Sequence, residues 1–234
     1  MPRRYWYVIL TYILMQVSGL IVSLALITFT PDIYTEGVIY WTLISFVLAL
    51  VIILKLMKPD MAMQRDNEAI GVGGMIIWSV VGVFMALFAQ GLAVVIETKI
   101  FGVPPGSENT QFIMEIARAM PIFVIVPMLL APILEEIVFR KIIFGTLYKR
   151  MNFFFAALLS ALIFGIIHGE PEHLLIYASI GFVFSFLYVK TKRILTPILV
   201  HAGMNSLAVI GQYSMTPEEI QKQLEQLQTI LFIM

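Results

Sequence analysis

Three short stretches hold polar residues that an apolar chain does not keep without a use. In "PILEEIVFR", Glu135, Glu136 and Arg140 follow a run that carries no charge from Pro121 to Leu134. In "FGIIHG", His168 comes four residues after Phe164, and in "HAGMN", Asn205 comes four residues after His201. An ionisable side chain inside a membrane span costs about 2.5–3.5 kcal/mol on insertion scales, so each asks for a function or a partner. On a helix Glu136 and Arg140 share a face, with Glu N-terminal to Arg, the favourable order. Glu135 points about 100° away from that face. The pair reads as structural, and the unpaired Glu135 as the carboxylate with chemistry to offer.

If the helices of Glu135 and His168 are antiparallel neighbours, both residues lie at similar depth. His201 and Asn205 then share one face of a third helix. A carboxylate, two imidazoles and an amide in one buried pocket allow two chemistries. One is water activated by Glu and His, with an oxyanion held by His and Asn. The other is a divalent metal such as zinc, held by Glu135, His168, His201 and Asn205. Other hydrolytic signatures are missing: His168 and His173 are five apart across Pro171, so there is no His-Glu-x-x-His, and no Gly-x-Ser-x-Gly occurs. The turn "GEPEH", with Glu170, Glu172 and His173, reads as a solvated loop, since Pro171 breaks a helix there.

The elements that must position these residues are membrane spans. The chain has 234 residues, 60% of them hydrophobic and 13% charged, with a mean hydropathy of +0.93. Soluble domains are about 45–50% apolar, and here the excess comes in blocks of bilayer-crossing length. Net charge is zero, which gives nucleic acid no basic surface to bind. There are no cysteines, so disulfides, thiolate metal sites and a cysteine nucleophile are excluded. Candidate spans are 5–29, 38–57, 72–96, a proline-interrupted region 112–150, then 153–167, 174–190 and 196–212. The first run is too long for the apolar core of a signal peptide and reads as a retained span.

With no internal repeat and no domain boundary, residues 1–234 read as a single integral membrane domain. It is an all-α, polytopic transmembrane helical bundle with its motif-bearing core at 112–212. Basic residues set the orientation. Arg3 and Arg4 precede the first span, and Lys55, Lys58 and Arg65 follow the second. Lys149 and Arg150, and later Lys190, Lys192 and Arg193, form two more clusters. All lie inside if 112–131 makes no net crossing, which gives seven spans. A full crossing there gives eight and puts the later clusters outside. The seven-span arrangement turns Glu135 and His168 toward the outer half of the membrane. The tail, 216–234, begins with a capping box and proline at its first helical position. Ile220, Leu224, Leu227 and Leu231 then repeat at helical spacing. It reads as an amphipathic helix on the membrane or on the bundle.

Glu135-Glu136-x-x-x-Arg140, Phe164-x-x-x-His168 and His201-x-x-x-Asn205, in that order on separate helices, resemble the CAAX protease and bacteriocin-processing family, the Abi group. The three motifs span about 133–206, under a third of the chain, and match at every defining position. The chain looks like a small bacterial member. The resemblance implies an intramembrane endopeptidase of the bacterial cell membrane, acting on a membrane-associated peptide or protein. It implies that Glu135 and His168 hold and activate water, and that His201 and Asn205 stabilise the oxyanion. Glu136 and Arg140 support them, and the mechanism is either metal-dependent or metal-free. A second reading is a non-catalytic scaffold or regulator of a cell-envelope enzyme, whose polar cluster only holds the bundle together. A solute transporter is a third, and no inverted repeat supports it.

Overall fold

A computed structural model describes residues 1–63 and 68–233, the side chains of 61–63 and 233 apart. Arg65 and Met234, assigned above to a basic cluster and to the tail, lie outside the described residues. The described backbone is helical, with no strand. Three long apolar helices open the chain: α1 (Arg3–Phe29), α2 (Tyr34–Met63) and α3 (Val72–Phe101). They are apolar all round because they face lipid as well as the bundle. Leu20, Ile21, Leu24, Phe84 and Phe88 point outward, exposed by half or more. α3 stops at Gly102, whose φ of 70° suits glycine, and Val103 N–H closes the end on Glu97 O.

A short amphipathic helix, α4 (Glu108–Ala119), follows, with Ser107 Oγ accepting from Thr110 N–H as its cap. The chain breaks at Met120 and resumes at Pro121 as one helical segment, α5 (Pro121–Leu147). The break falls inside 112–131, at the first of the prolines that mark this region as interrupted. Nor is α5 the uniform α-helix that the spacing presumes. Val126–Leu130 and Glu136–Phe144 are wound as π-helix, with i→i+5 bonds, on either side of α-helical Ala131–Glu135. Pro127 and Pro132 each withdraw an amide donor from this segment, which disfavours regular α winding.

The remaining helices are α6 (Phe153–Ile167), α7 (Leu174–Thr191), α8 (Leu195–Tyr213) and α9 (Pro217–Ile233). α1 packs on α2, α3 on α7 and α8, and α6 on α7. Among the described residues, five segments are long and apolar enough to cross a membrane: Arg3–Phe29, Pro31–Asp60, Val72–Phe101, Pro121–Leu147 and Pro171–Thr191. α6 is a shorter apolar helix, and α8 carries His201 and Asn205, so these two account for the difference from the seven expected.

Basic clusters gather at one end of the bundle. Arg4 pairs with Asp60 at 2.7 Å, Lys192 pairs with Glu68, and Lys141 lies within electrostatic reach of Asp60 and Arg4. At the other end Arg118 of α4 donates to Gln212 O and Met215 O, just past α8. α9 docks on the bundle: it packs on α3, and Leu224 reaches Gly106. Its capping box is formed, Thr216 N–H to Glu219 Oε2 at 2.8 Å and Glu219 N–H to Thr216 Oγ1 at 3.2 Å.

Candidate active site

α5 buries Leu134, Val138, Phe139 and Ile142 against Val8 and Tyr12 of α1, Ile53 of α2 and Phe164 of α6. That packing fixes the segment whose polar residues turn toward α8. Arg140 is fully buried and lies over the faces of Phe164 and Phe184, at 4.4 and 5.1 Å from the ring centroids. Its Nε is 3.2 Å from Glu136 Oε2, an ion pair without an aligned hydrogen bond. Gly181 lets α7 close on Ala161 of α6 beside Arg140. A Cβ there would lie 2.7 Å from Ala161 Cβ and 3.5 Å from Arg140 Nη2.

Glu136 Oε1 accepts from His201 Nδ1–H at 2.9 Å. A carboxylate only accepts, so Nδ1 carries the hydrogen and Nε2 is the nitrogen left to act. Phe184 and Phe164 pack the imidazole at 5.1 and 6.0 Å. His201 Nε2 is 3.7 Å from Glu135 Oε2. That exceeds hydrogen-bond length, so the two groups share no direct bond and both can reach a water lying to one side of them. The two glutamates also differ in access: 13% of the Glu135 side chain is exposed, and none of Glu136.

His168 ends α6. Its Nδ1–H donates to Phe164 O at 2.8 Å, and its ring lies on Phe164 at 4.4 Å and Tyr177 at 4.3 Å. Phe164 thus packs against both imidazoles. Among the described residues His168 forms no ion pair with Glu135. Asn205, one turn beyond His201, donates from Nδ2 to Pro127 O at 2.8 Å. The structure therefore joins Glu135, Glu136, Arg140 and His201 in one cluster. Asn205 flanks it on α8, and His168 stands across Phe164.

The donors fit a metal poorly. Glu136 is committed to a guanidinium and an imidazole, which leaves Glu135 and His201 Nε2 as a pair. Among the described residues no three His, Asp or Glu side chains assemble into a metal-holding group.

The turn after His168 departs from the sequence reading. Glu172 is exposed, but Glu170 and His173 are buried, because α3 and the N-terminal end of α4, with its cap Ser107, close over them. Glu170 accepts from Tyr177 OH at 2.5 Å, from Ser107 Oγ at 2.9 Å and from Asn109 N–H at 3.0 Å. Desolvation pushes its carboxyl up, but those hydrogen bonds and the charge of His173 outweigh it, so Glu170 titrates below the usual carboxylate range. His173 Nδ1 meets Glu97 Oε2 at 2.9 Å, and Glu97 Oε1 accepts from Leu175 and Ile176 N–H at 3.0 and 3.2 Å, capping α7. Glu97 and Tyr177 went unrecognised in the sequence. The one available signal was a carboxylate immediately after an apolar run ending at Ile96.

These features define a polytopic membrane protein whose helices gather Glu135, Glu136, Arg140 and His201 into one polar cluster, with Asn205 beside it. The profile of the type II CAAX prenyl endopeptidase Rce1-like family matches residues 117–207, a stretch that holds every residue of the cluster. The chain is 43% identical to YdiL of Bacillus subtilis, a candidate membrane peptidase, over 99% of its own length and 98% of that protein. It is 32% identical to the membrane-embedded CAAX protease MroQ of Staphylococcus aureus, over 98% of both chains. The UPF0177 protein YvdC of Lactococcus lactis is 28% identical over 54% of this chain and 49% of its own. No solved structure matches. The chain belongs to the Rce1-like CAAX protease family and is a multi-pass membrane peptidase.

Proposed function

We propose that this peptidase is an intramembrane endopeptidase that hydrolyses a peptide bond of a membrane-associated protein or peptide with water activated by Glu135. The observation that carries the proposal is the 3.7 Å gap between Glu135 Oε2 and His201 Nε2, beside a Glu136 already committed to Arg140 and His201 Nδ1. Glu135 takes a proton from a water that lies beside Glu135 Oε2 and His201 Nε2, and the hydroxide oxygen attacks the scissile carbonyl carbon. His168 is assigned to the same water on the family resemblance, since in this structure it stands across Phe164. Its Nδ1–H is committed to Phe164 O, which leaves Nε2 to accept. The tetrahedral oxyanion receives hydrogen bonds from His201 Nε2–H and Asn205 Nδ2–H. Collapse breaks the C–N bond, and the leaving amine takes the proton from Glu135.

The donor role of His201 needs hydrogens on both ring nitrogens. No step runs through a metal. By the positive-inside rule the end with Arg4, Lys141 and Lys192 is cytoplasmic, and seven helices cross the membrane. The name of MroQ suggests a C-terminal CAAX peptide as the first probe.

The test is cleavage of internally quenched CAAX peptides, farnesylated and unmodified, by protein reconstituted in phosphatidylethanolamine–phosphatidylglycerol vesicles. Glu135→Gln is expected to lower turnover about 10²–10⁴-fold, with His168→Ala and His201→Ala also strongly impaired. Wild-type turnover by Glu135→Gln would sink the mechanism. A partner protein bound equally by all three variants, with no cleavage by the wild type, would favour the scaffold.

A further inference from the structure

A helix carbonyl is normally claimed by an amide of its own helix; its second lone pair can still take a side-chain donor, but a carbonyl with no helix amide on it is the stronger and less constrained acceptor. Pro127 O, which Asn205 reaches, is such a carbonyl. The backbone of α5 shows why it is. Ala131 N–H, which an α-helix would bring to Pro127 O, reaches back five residues to Val126 O. The next amide in that register belongs to residue 132, a proline, which has no N–H. Pro132 is itself buried, and its ring offers no polar contact. The two residues that could have supplied a donor therefore both fail to, and Asn205 Nδ2 takes the carbonyl at 2.8 Å.

We infer that Pro132 is a positioning residue: by withholding an N–H from Pro127 O it reserves that carbonyl for Asn205, and so orients the amide in the oxyanion site. The Asn amide is planar and Nδ2 carries two hydrogens. With one fixed on Pro127 O, the direction of the second is set before substrate arrives. A donor held in place stabilises developing charge without reorganising at the moment of reaction. The π turn is thus part of the site although none of its side chains touches the reacting atoms. The inference rests on the reading of Asn205 as oxyanion donor.

Replacing Pro132 with a residue that has an N–H adds a competitor for Pro127 O. Proline is the least favourable residue in a helix interior, so P132A is expected to leave the thermal midpoint unchanged or raised. P132V serves as a second variant that keeps more of the buried volume. The full chain is reconstituted as wild type, P132A, N205A and the double variant, and assayed on the farnesylated CAAX peptide. N205A is expected to lower kcat about 10²–10³-fold, and P132A about tenfold or more, with KM little changed. The double variant is expected to match N205A, because residues acting as one unit are not additive. Wild-type kcat in both P132A and P132V, or a multiplied loss in the double variant, would overturn the inference.

Thermal unfolding gives a readout that needs no substrate. N205A in the wild-type background orphans Pro127 O and is expected to lower the midpoint by about 2–4 °C. In the P132A background the new N–H takes that carbonyl, and the shift is expected to shrink below about 1 °C. Equal shifts in both backgrounds would overturn the inference whatever the activity does. If N205A alone retains wild-type turnover, the oxyanion reading falls. The thermal cycle then still decides whether Pro132 reserves the carbonyl.

Discussion

Glu136→Gln and Glu135→Gln replace adjacent, identical side chains by the same isostere and should have opposite effects. In wild type the Arg140 guanidinium is fully buried, and its counter-charge is Glu136, with Nε–Oε2 at 3.2 Å. At an effective dielectric constant of about 20, two unit charges at that separation attract by about 5 kcal/mol. The amide of Glu136→Gln keeps an acceptor oxygen, and the hydrogen bond it can make returns about 1–2 kcal/mol. The faces of Phe164 and Phe184 remain over the cation in both proteins. The net loss is about 3–4 kcal/mol, within the range for removing one partner of a buried pair. For a chain of this size that lowers the melting midpoint by about 6–16 °C.

Glu135 is partly exposed, and its nearest cationic partner is beyond hydrogen-bond reach at 3.7 Å. Its amide should therefore melt within about 1 kcal/mol of wild type while losing activity. Unfolding in mixed detergent micelles, followed by circular dichroism, measures the stability of both variants. Two results would refute the reasoning: a loss below about 1 kcal/mol for Glu136→Gln, or equal losses for the two variants.

Glu170 predicts an acid limb in stability. Its folded pKa lies below the ordinary value, about 4.3 for a glutamate. Its contribution is therefore complete above about pH 5 and is lost as pH falls through the depressed folded value. Glu170→Gln should flatten that part of a melting-point-against-pH curve, and an unchanged curve counts against the network. Glu97→Ala removes the acceptor of Leu175 and Ile176 N–H and should cost about 2–3 kcal/mol, with faster hydrogen exchange at those two amides. The chain has no cysteine, so single cysteines report topology cleanly. Asn152→Cys and Lys192→Cys should resist an impermeant thiol reagent in intact cells, and Glu108→Cys should react. The reverse pattern would turn the pocket toward the cytoplasm.

Much of the site was legible because its signals are local. The four-residue spacings placed Glu136 by Arg140, and a counter-charge was expected for one glutamate and not the other. The helical class followed from composition, since backbone in hydrocarbon must satisfy itself. What stayed hidden depends on contacts distant in sequence. Nothing in "GEPEH" shows that Ser107, Asn109 and Tyr177 will converge on Glu170, so a turn of charged residues around a proline read as surface. The partnership of His201 with Glu136 links residues on different helices, and no spacing rule reaches across helices. The π winding of α5 was hidden too. The prolines announced an interruption, but where the lost donors would matter depended on α8 being near.

The asymmetry between Glu135 and Glu136 is the clearest case of chemistry made by surroundings. The two share a sequence neighbourhood and a helix, yet one is sealed between a guanidinium and an imidazole, and the other opens on a gap. Arg140 creates the difference. It needs a counter-charge because it is buried, and it takes the glutamate four residues back, which in turn commits His201 Nδ1 and leaves Nε2 directed toward Glu135. In the proposed mechanism a fully buried arginine that touches no substrate thus decides which carboxylate is left for water and which imidazole nitrogen faces it.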